Sequence, residues 1–117
     1  MSLRRLGQTD LNIAELILCT NTADWTADEA SSFAVFDTFV DSGFSALVTT
    51  DVYSRWVPGN DSESERIIGR WMRARGNRDR VHILTKDGSD MGQGKTDLSA
   101  ACIEKAVEGS LSRLQTD

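Results

Sequence analysis

The chain has 117 residues, which suits one small domain or part of a larger one. Its 39% hydrophobic content lies below the roughly 45–50% typical of globular domains, so a thin core is expected. The net charge of −5, with both signs spread along the chain, argues against a surface for nucleic acid or anionic membrane.

Met1-Ser2-Leu3-Arg4-Arg5 has the charge of a signal start, but polar Gly7-Gln8-Thr9-Asp10 follows. With no apolar h-region and no run of membrane-spanning length, a cytoplasmic protein is expected. Leu3 to Leu6 and Leu11 to Ile13 read as a hairpin around that polar turn. Glu15-Leu16-Ile17-Leu18 is a short apolar run that ends in the polar loop Cys19-Thr20-Asn21-Thr22. Cys19 and Cys102 fit no metal or redox spacing, so two reduced thiols and no metal site are expected. Thr26 and Glu29 have capping-box spacing. The stripe Phe33, Val35, Phe36, Phe39 and Val40 predicts a helix that stops at Gly43.

Phe44 to Thr49 predicts the next strand. Asp51 to Asp61 is a loop holding the lone proline, Pro58. Ser62 and Glu65 have capping-box spacing again, before a helix with Ile67, Ile68, Trp71 and Met72 on its apolar face. Its basic end, Arg70 to Arg75 continuing to Arg78 and Arg80, reads as a solvated terminus whose cations suit the helix dipole. Gly76-Asn77 is the stop. Val81 to Thr85 reads as a strand covered on both faces. A Gly-rich loop, Gly88 to Gly94, precedes a helix from Ser99 to Leu114 with Ile103, Ala106, Val107, Ser110, Leu111 and Leu114 on one face. Gly94-Lys95-Thr96 fails the phosphate-loop template, which needs a glycine where Ser89 stands and a helix opening at the lysine.

A hairpin followed by three βα units implies a parallel sheet with right-handed crossovers. A closed β/α barrel takes eight units and typically ~250 residues, so the pattern reads as its first part, ending at a unit boundary. In such a sheet Tyr53 and Lys86 stand just past strand ends, at the rim where α/β sites form. A phenol beside an ammonium suits proton donation to a carbonyl oxygen, since the cation favours phenolate. His82 shares a strand face with Leu84 and Lys86 but lies about 13 Å deeper, at ~3.3 Å per residue. It reads as a histidine on an incompletely packed or solvent-open face rather than as a catalytic group.

Together these segments resemble the N-terminal part of the aldo-keto reductase family. Leu3-Arg4-Arg5-Leu6-Gly7 with Leu11 is similar to the family's opening hairpin, and Leu18-Cys19-Thr20-Asn21-Thr22 to its first βα loop. Gly43 to Tyr53 stands at the strand signature, Glu63 to Gly69 at the helix opening, and Thr85-Lys86 at the third strand end. The resemblance implies an α/β fold, an incomplete (β/α)8 TIM barrel, and NADPH-dependent reduction of an aldehyde or ketone. Of the family's Asp, Tyr, Lys and His, Tyr53 matches the tyrosine and Lys86 the lysine. The aspartate falls on Val48, and the histidine belongs to a fourth strand beyond Asp117. Thr20 and Asn21 are the candidate cofactor contacts. Asp51 is a possible substitute carboxylate that is expected to face elsewhere. The expectation is a chain inactive by itself; the alternative is a module that associates with other chains, or itself, through exposed sheet edges.

Overall fold

Gly7 adopts φ +57°, a left-handed turn conformation, and reverses the chain between two short strands. These are β1 (Leu3–Arg5) and β2 (Asn12–Ala14), antiparallel with Leu3 opposite Ala14. The computed structural model describes residues 2–117. Next come β3 (Leu18–Cys19), α1 (Glu29–Asp41), β4 (Ala46–Val48), α2 (Glu63–Arg75), a 3-10 turn (Arg78–Arg80), β5 (His82–Leu84) and α3 (Ala100–Leu114). The second sheet has the order β3-β4-β5, all parallel. Hairpin and three βα units therefore form as expected, with strands shorter than the apolar runs.

Leu47 and Ile83 are register partners on the helix side, where Leu47 is fully buried with Ile67, Ile68 and Trp71. The Trp71 ring meets Phe36 edge-on at 5.3 Å, and its Nε1 donates to Asp37 Oδ1 at 2.8 Å. By alternation Val48, His82 and Leu84 point to the other face. All three stay partly exposed. The expectation of two covered faces for Val81 to Thr85 is thus corrected: helices pack on one face, and among the described residues the sheet does not close.

Both capping boxes are also corrected. The N-cap of α1 is Asp28, whose carboxylate accepts from Ser31 N at 2.8 Å, and Glu29 instead pairs with Arg70. Ser62 does cap α2, but in a left-handed conformation at φ 57° that leaves its buried hydroxyl without a partner. Glu65 is drawn away by stronger donors. Its Oε2 accepts from Arg113 Nε at 2.6 Å and its Oε1 from the Thr85 hydroxyl at 2.6 Å. The basic end of α2 is ion-paired rather than merely solvated: Arg70 binds Glu29 and Glu63, and Arg75 binds Asp37. The third helix starts as expected, with Ser99 accepting from Cys102 N. Its apolar face behaves differently. Ser110 and Leu114 are buried, while Ile103, Val107 and Leu111 stay exposed because no element among the described residues covers them. Residues 95–99 are not helical, in keeping with a plain loop at Gly94-Lys95-Thr96.

Candidate active site

Parallel register sets Cys19, Val48 and Leu84 side by side at the carboxyl ends of β3, β4 and β5. The ladder runs on past the strands, with Thr49 N donating to Leu84 O at 2.9 Å and Asp51 N to Lys86 O at 3.2 Å. These bonds fix one rim carrying Cys19, Thr49, Tyr53 and Lys86. Tyr53 arrives there through a turn in which its own N–H bonds Thr50 O.

Sequence reasoning paired Tyr53 with Lys86, and the fold brings them together. The Lys86 ammonium lies 5.0 Å from the centroid of the Tyr53 ring. It donates to the Thr49 carbonyl at 2.8 Å. Among the described residues no carboxylate forms an ion pair with it. A backbone carbonyl is a neutral acceptor, so it orients the ammonium without balancing its charge.

The Tyr53 hydroxyl lies 3.6 Å from Cys19 Sγ. That thiol first, and burial second, hold the phenol above its ordinary value of 10.0. The expected lowering by Lys86 does not prevail, because the ammonium stands over the ring face rather than beside the oxygen. Nothing in the sequence marked Cys19 as the phenol's partner; the strand register and the turn after β4 together bring residues 19 and 53 into contact.

Asp51 is buried and accepts from the Thr50 hydroxyl at 3.2 Å. Burial pushes its carboxyl above the usual range. It lines a cavity with Gly88, Cys102 and Arg113 on the α3 side. His82 pairs with Ala46 at the start of β5, four residues before Lys86, and stands apart from the rim.

The candidate cofactor contacts divide. Thr20 is buried, and its hydroxyl is engaged with Val48 O at 3.1 Å and Ser64 Oγ at 2.8 Å. Asn21 remains partly exposed beside it. A dinucleotide needs several aligned donors along its phosphates. Thr20 is turned inward, and Asn21 alone does not supply them.

The sequence profile of the Aldo/keto reductase family matches residues 15–117. The chain belongs to the aldo/keto reductase family. The uncharacterized oxidoreductase YrpG of Bacillus subtilis is 36% identical over 119 aligned positions, which cover 96% of this chain and 36% of YrpG. An aldo-keto reductase from Bacillus halodurans, solved in its holo form, superposes with a TM-score of 0.82 at 32% identity. That match covers 100% of this chain and 37% of the solved one. A shorter relative, an uncharacterized 11.2 kDa protein in the crtE 3′ region of Pseudescherichia vulneris, is 45% identical over 93 residues. There the match covers 78% of this chain and 90% of the relative. The chain thus spans little more than a third of YrpG and of the solved reductase. It has the partial α/β form of a TIM-barrel family member, with a parallel sheet and three helices. Among the described residues no helix is long and apolar enough to cross a membrane.

Proposed function

We propose that this chain carries the tyrosine–lysine part of an NADPH-dependent carbonyl-reductase site and does not reduce aldehydes or ketones by itself. The observation that carries the reading is the partner of Lys86: the Thr49 carbonyl, at 2.8 Å, with Val48 where the family pattern has a carboxylate. Reduction of a carbonyl needs a hydride donor at carbon and an acid at oxygen. Tyr53 is the acid available. With its hydroxyl against Cys19 and its pKa raised, it is a poorer donor at neutral pH than a free phenol. NADPH would supply the hydride where it is bound; on this chain the inward-turned Thr20 argues against a cofactor cradle.

Nicotinamide fluorescence tests the cofactor part. Titrating the chain into NADPH is expected to give no saturable change at micromolar concentrations. A saturable change that is lost on Asn21→Ala would overturn it.

A second reading rests on the sheet edges. Beside β5, a groove of about 260 Å³ is lined by Ile83, Val107, Leu111 and Leu114 together with polar and charged residues that include Arg78, Lys86 and Asp87. Beside β3, one of about 440 Å³ is lined by Leu18, Val35, Phe39 and Phe44. Unpaired edge strands, one of them flanked by the mainly apolar groove beside β3, favour edge-to-edge association. Sedimentation equilibrium decides: a concentration-dependent mass supports it, and a compact monomer at high micromolar concentration counts against it.

A further inference from the structure

Asp51 is only 3% exposed, yet its carboxylate is short of donors. The Thr50 hydroxyl reaches Oδ1 at 3.2 Å, but its single proton also serves the nearer Lys86 carbonyl, at 2.8 Å. Among the described residues nothing donates to Oδ2. Asp51 lines a cavity of about 710 Å³ between α3 and the loop that follows β5. Arg113 lines the same cavity, and its guanidinium is only partly used. Nε is held by Glu65 at 2.6 Å and Nη2 lies 3.4 Å from Ser110 Oγ, while Nη1 has no acceptor among the described residues. Nη1 lies against Gly109, another residue of the cavity wall, where a Cβ would come within 2.9 Å of it. The exposed Lys105 flanks the same wall and forms no ion pair among the described residues. Much of the remaining wall is small, with Gly88, Gly92, Ala101 and Ala106 leaving the space open.

A buried carboxylate without donors is costly, and a ligand that supplies them recovers that cost. A simple cation would satisfy Asp51 but meet Arg113 and Lys105. A simple anion would satisfy the two cations but meet Asp51. A molecule with one charge of each sign suits all three. We propose that this cavity binds a small zwitterion, an amino-carboxylic acid whose ammonium donates to Asp51 and whose carboxylate accepts from Arg113 Nη1, with Lys105 flanking it. Burial raises the Asp51 pKa, and a bound ammonium offsets that penalty. The site is separate from the tyrosine–lysine pair and does not depend on whether the chain reduces carbonyls, so a binding assay and a turnover assay fail separately.

The test is a titration at pH 7 with L-leucine, followed through the backbone amide resonances of Gly88, Gly92 and Gly109 on the cavity wall. Trp71 Nε1 donates to Asp37 in the core, so its signal is an internal reference for the fold. The three glycine amides are expected to shift saturably in the millimolar range or below, while the Trp71 signal stays. L-Leucinamide lacks the carboxylate and N-acetyl-L-leucine lacks the ammonium. Each is expected to bind about tenfold more weakly than leucine, the scale of one lost charge-assisted hydrogen bond. Asp51→Asn is expected to weaken leucine by a similar factor and to leave N-acetyl-leucine, which has no ammonium to lose, no weaker than before. Equal affinity for leucine and its two analogues overturns the proposal without any variant. So does unchanged leucine affinity in Asp51→Asn, or the absence of a saturable shift at the three glycines.

Discussion

Arg113→Met is expected to be the most damaging single change outside the apolar core. Glu65 is fully buried, and its side-chain oxygens are held by Arg113 Nε and the Thr85 hydroxyl, each at 2.6 Å. The pair joins the first turn of α2 to the last turn of α3, and Thr85 ties both to the end of β5. Removing the guanidinium leaves a carboxylate out of water with a single hydroxyl donor. Breaking a buried pair from one side costs about 3–5 kcal/mol. A domain of this kind has roughly 5–15 kcal/mol in total, so the variant is expected to be partly unfolded or close to it. The reverse change, Glu65→Gln, should cost less, because the Arg113 side chain keeps 17% of its surface in solvent. The double variant Glu65→Met/Arg113→Met should lie within about 1–2 kcal/mol of the parent, since apolar replacement of both partners removes the desolvation problem. Urea unfolding followed by far-ultraviolet circular dichroism measures all three. Arg113→Met within about 1 kcal/mol of the parent, or a double variant no better than Arg113→Met, would refute the reasoning.

Three further changes test other parts of the structure. Gly69 has no room for a side chain: a Cβ there would clash with the Arg113 carbonyl oxygen, so Gly69→Ala should cost about 1–3 kcal/mol in the same unfolding assay. Tyr53 is the only tyrosine, so phenolate absorbance reads it alone. It should titrate above 10.0 and move back towards 10.0 in Cys19→Ala; titration below 10.0 would mean that Lys86 dominates. Asp51 has its carboxyl pKa raised by burial, so the folded chain takes up that proton at higher pH than the unfolded one. The stability it contributes is complete below 3.8 and is lost as pH rises through the folded value. Asp51→Asn should therefore be at least as stable as the parent at pH 7, with the difference closing towards pH 3.8; a less stable variant at pH 7 contradicts this.

Much of the architecture was legible because it rests on local signals. Phe36, Phe39 and Val40 on one helix, and Ile67, Ile68, Trp71 and Met72 on another, are buried as their spacing predicts, whereas Val35 of the first stripe stays exposed. Tyr53 and Lys86 were legible because a parallel sheet sends both strand ends to one rim. The capping boxes were misleading for a physical reason: a free glutamate can reach back to its helix start, but Glu65 had a guanidinium 48 residues away to bind instead. The Thr49 carbonyl as the partner of Lys86 was not legible either, since backbone acceptors leave no trace in residue type. Large aromatics in polar loops were a usable signal, and Trp25 with Trp56 could have been marked as a surface cluster before the fold was known. The exposed face of α3 reads like any core-facing stripe, because the sequence pattern does not depend on whether a neighbour is present.

Steady-state NADPH oxidation with a reactive aldehyde, run on the chain and on Tyr53→Phe, tests the central claim most directly. A lysine held by a backbone carbonyl and a phenol held by a thiol predict the same background rate for both proteins. Aldehyde-dependent oxidation by the parent that disappears in Tyr53→Phe would contradict the account and make Tyr53 a working acid.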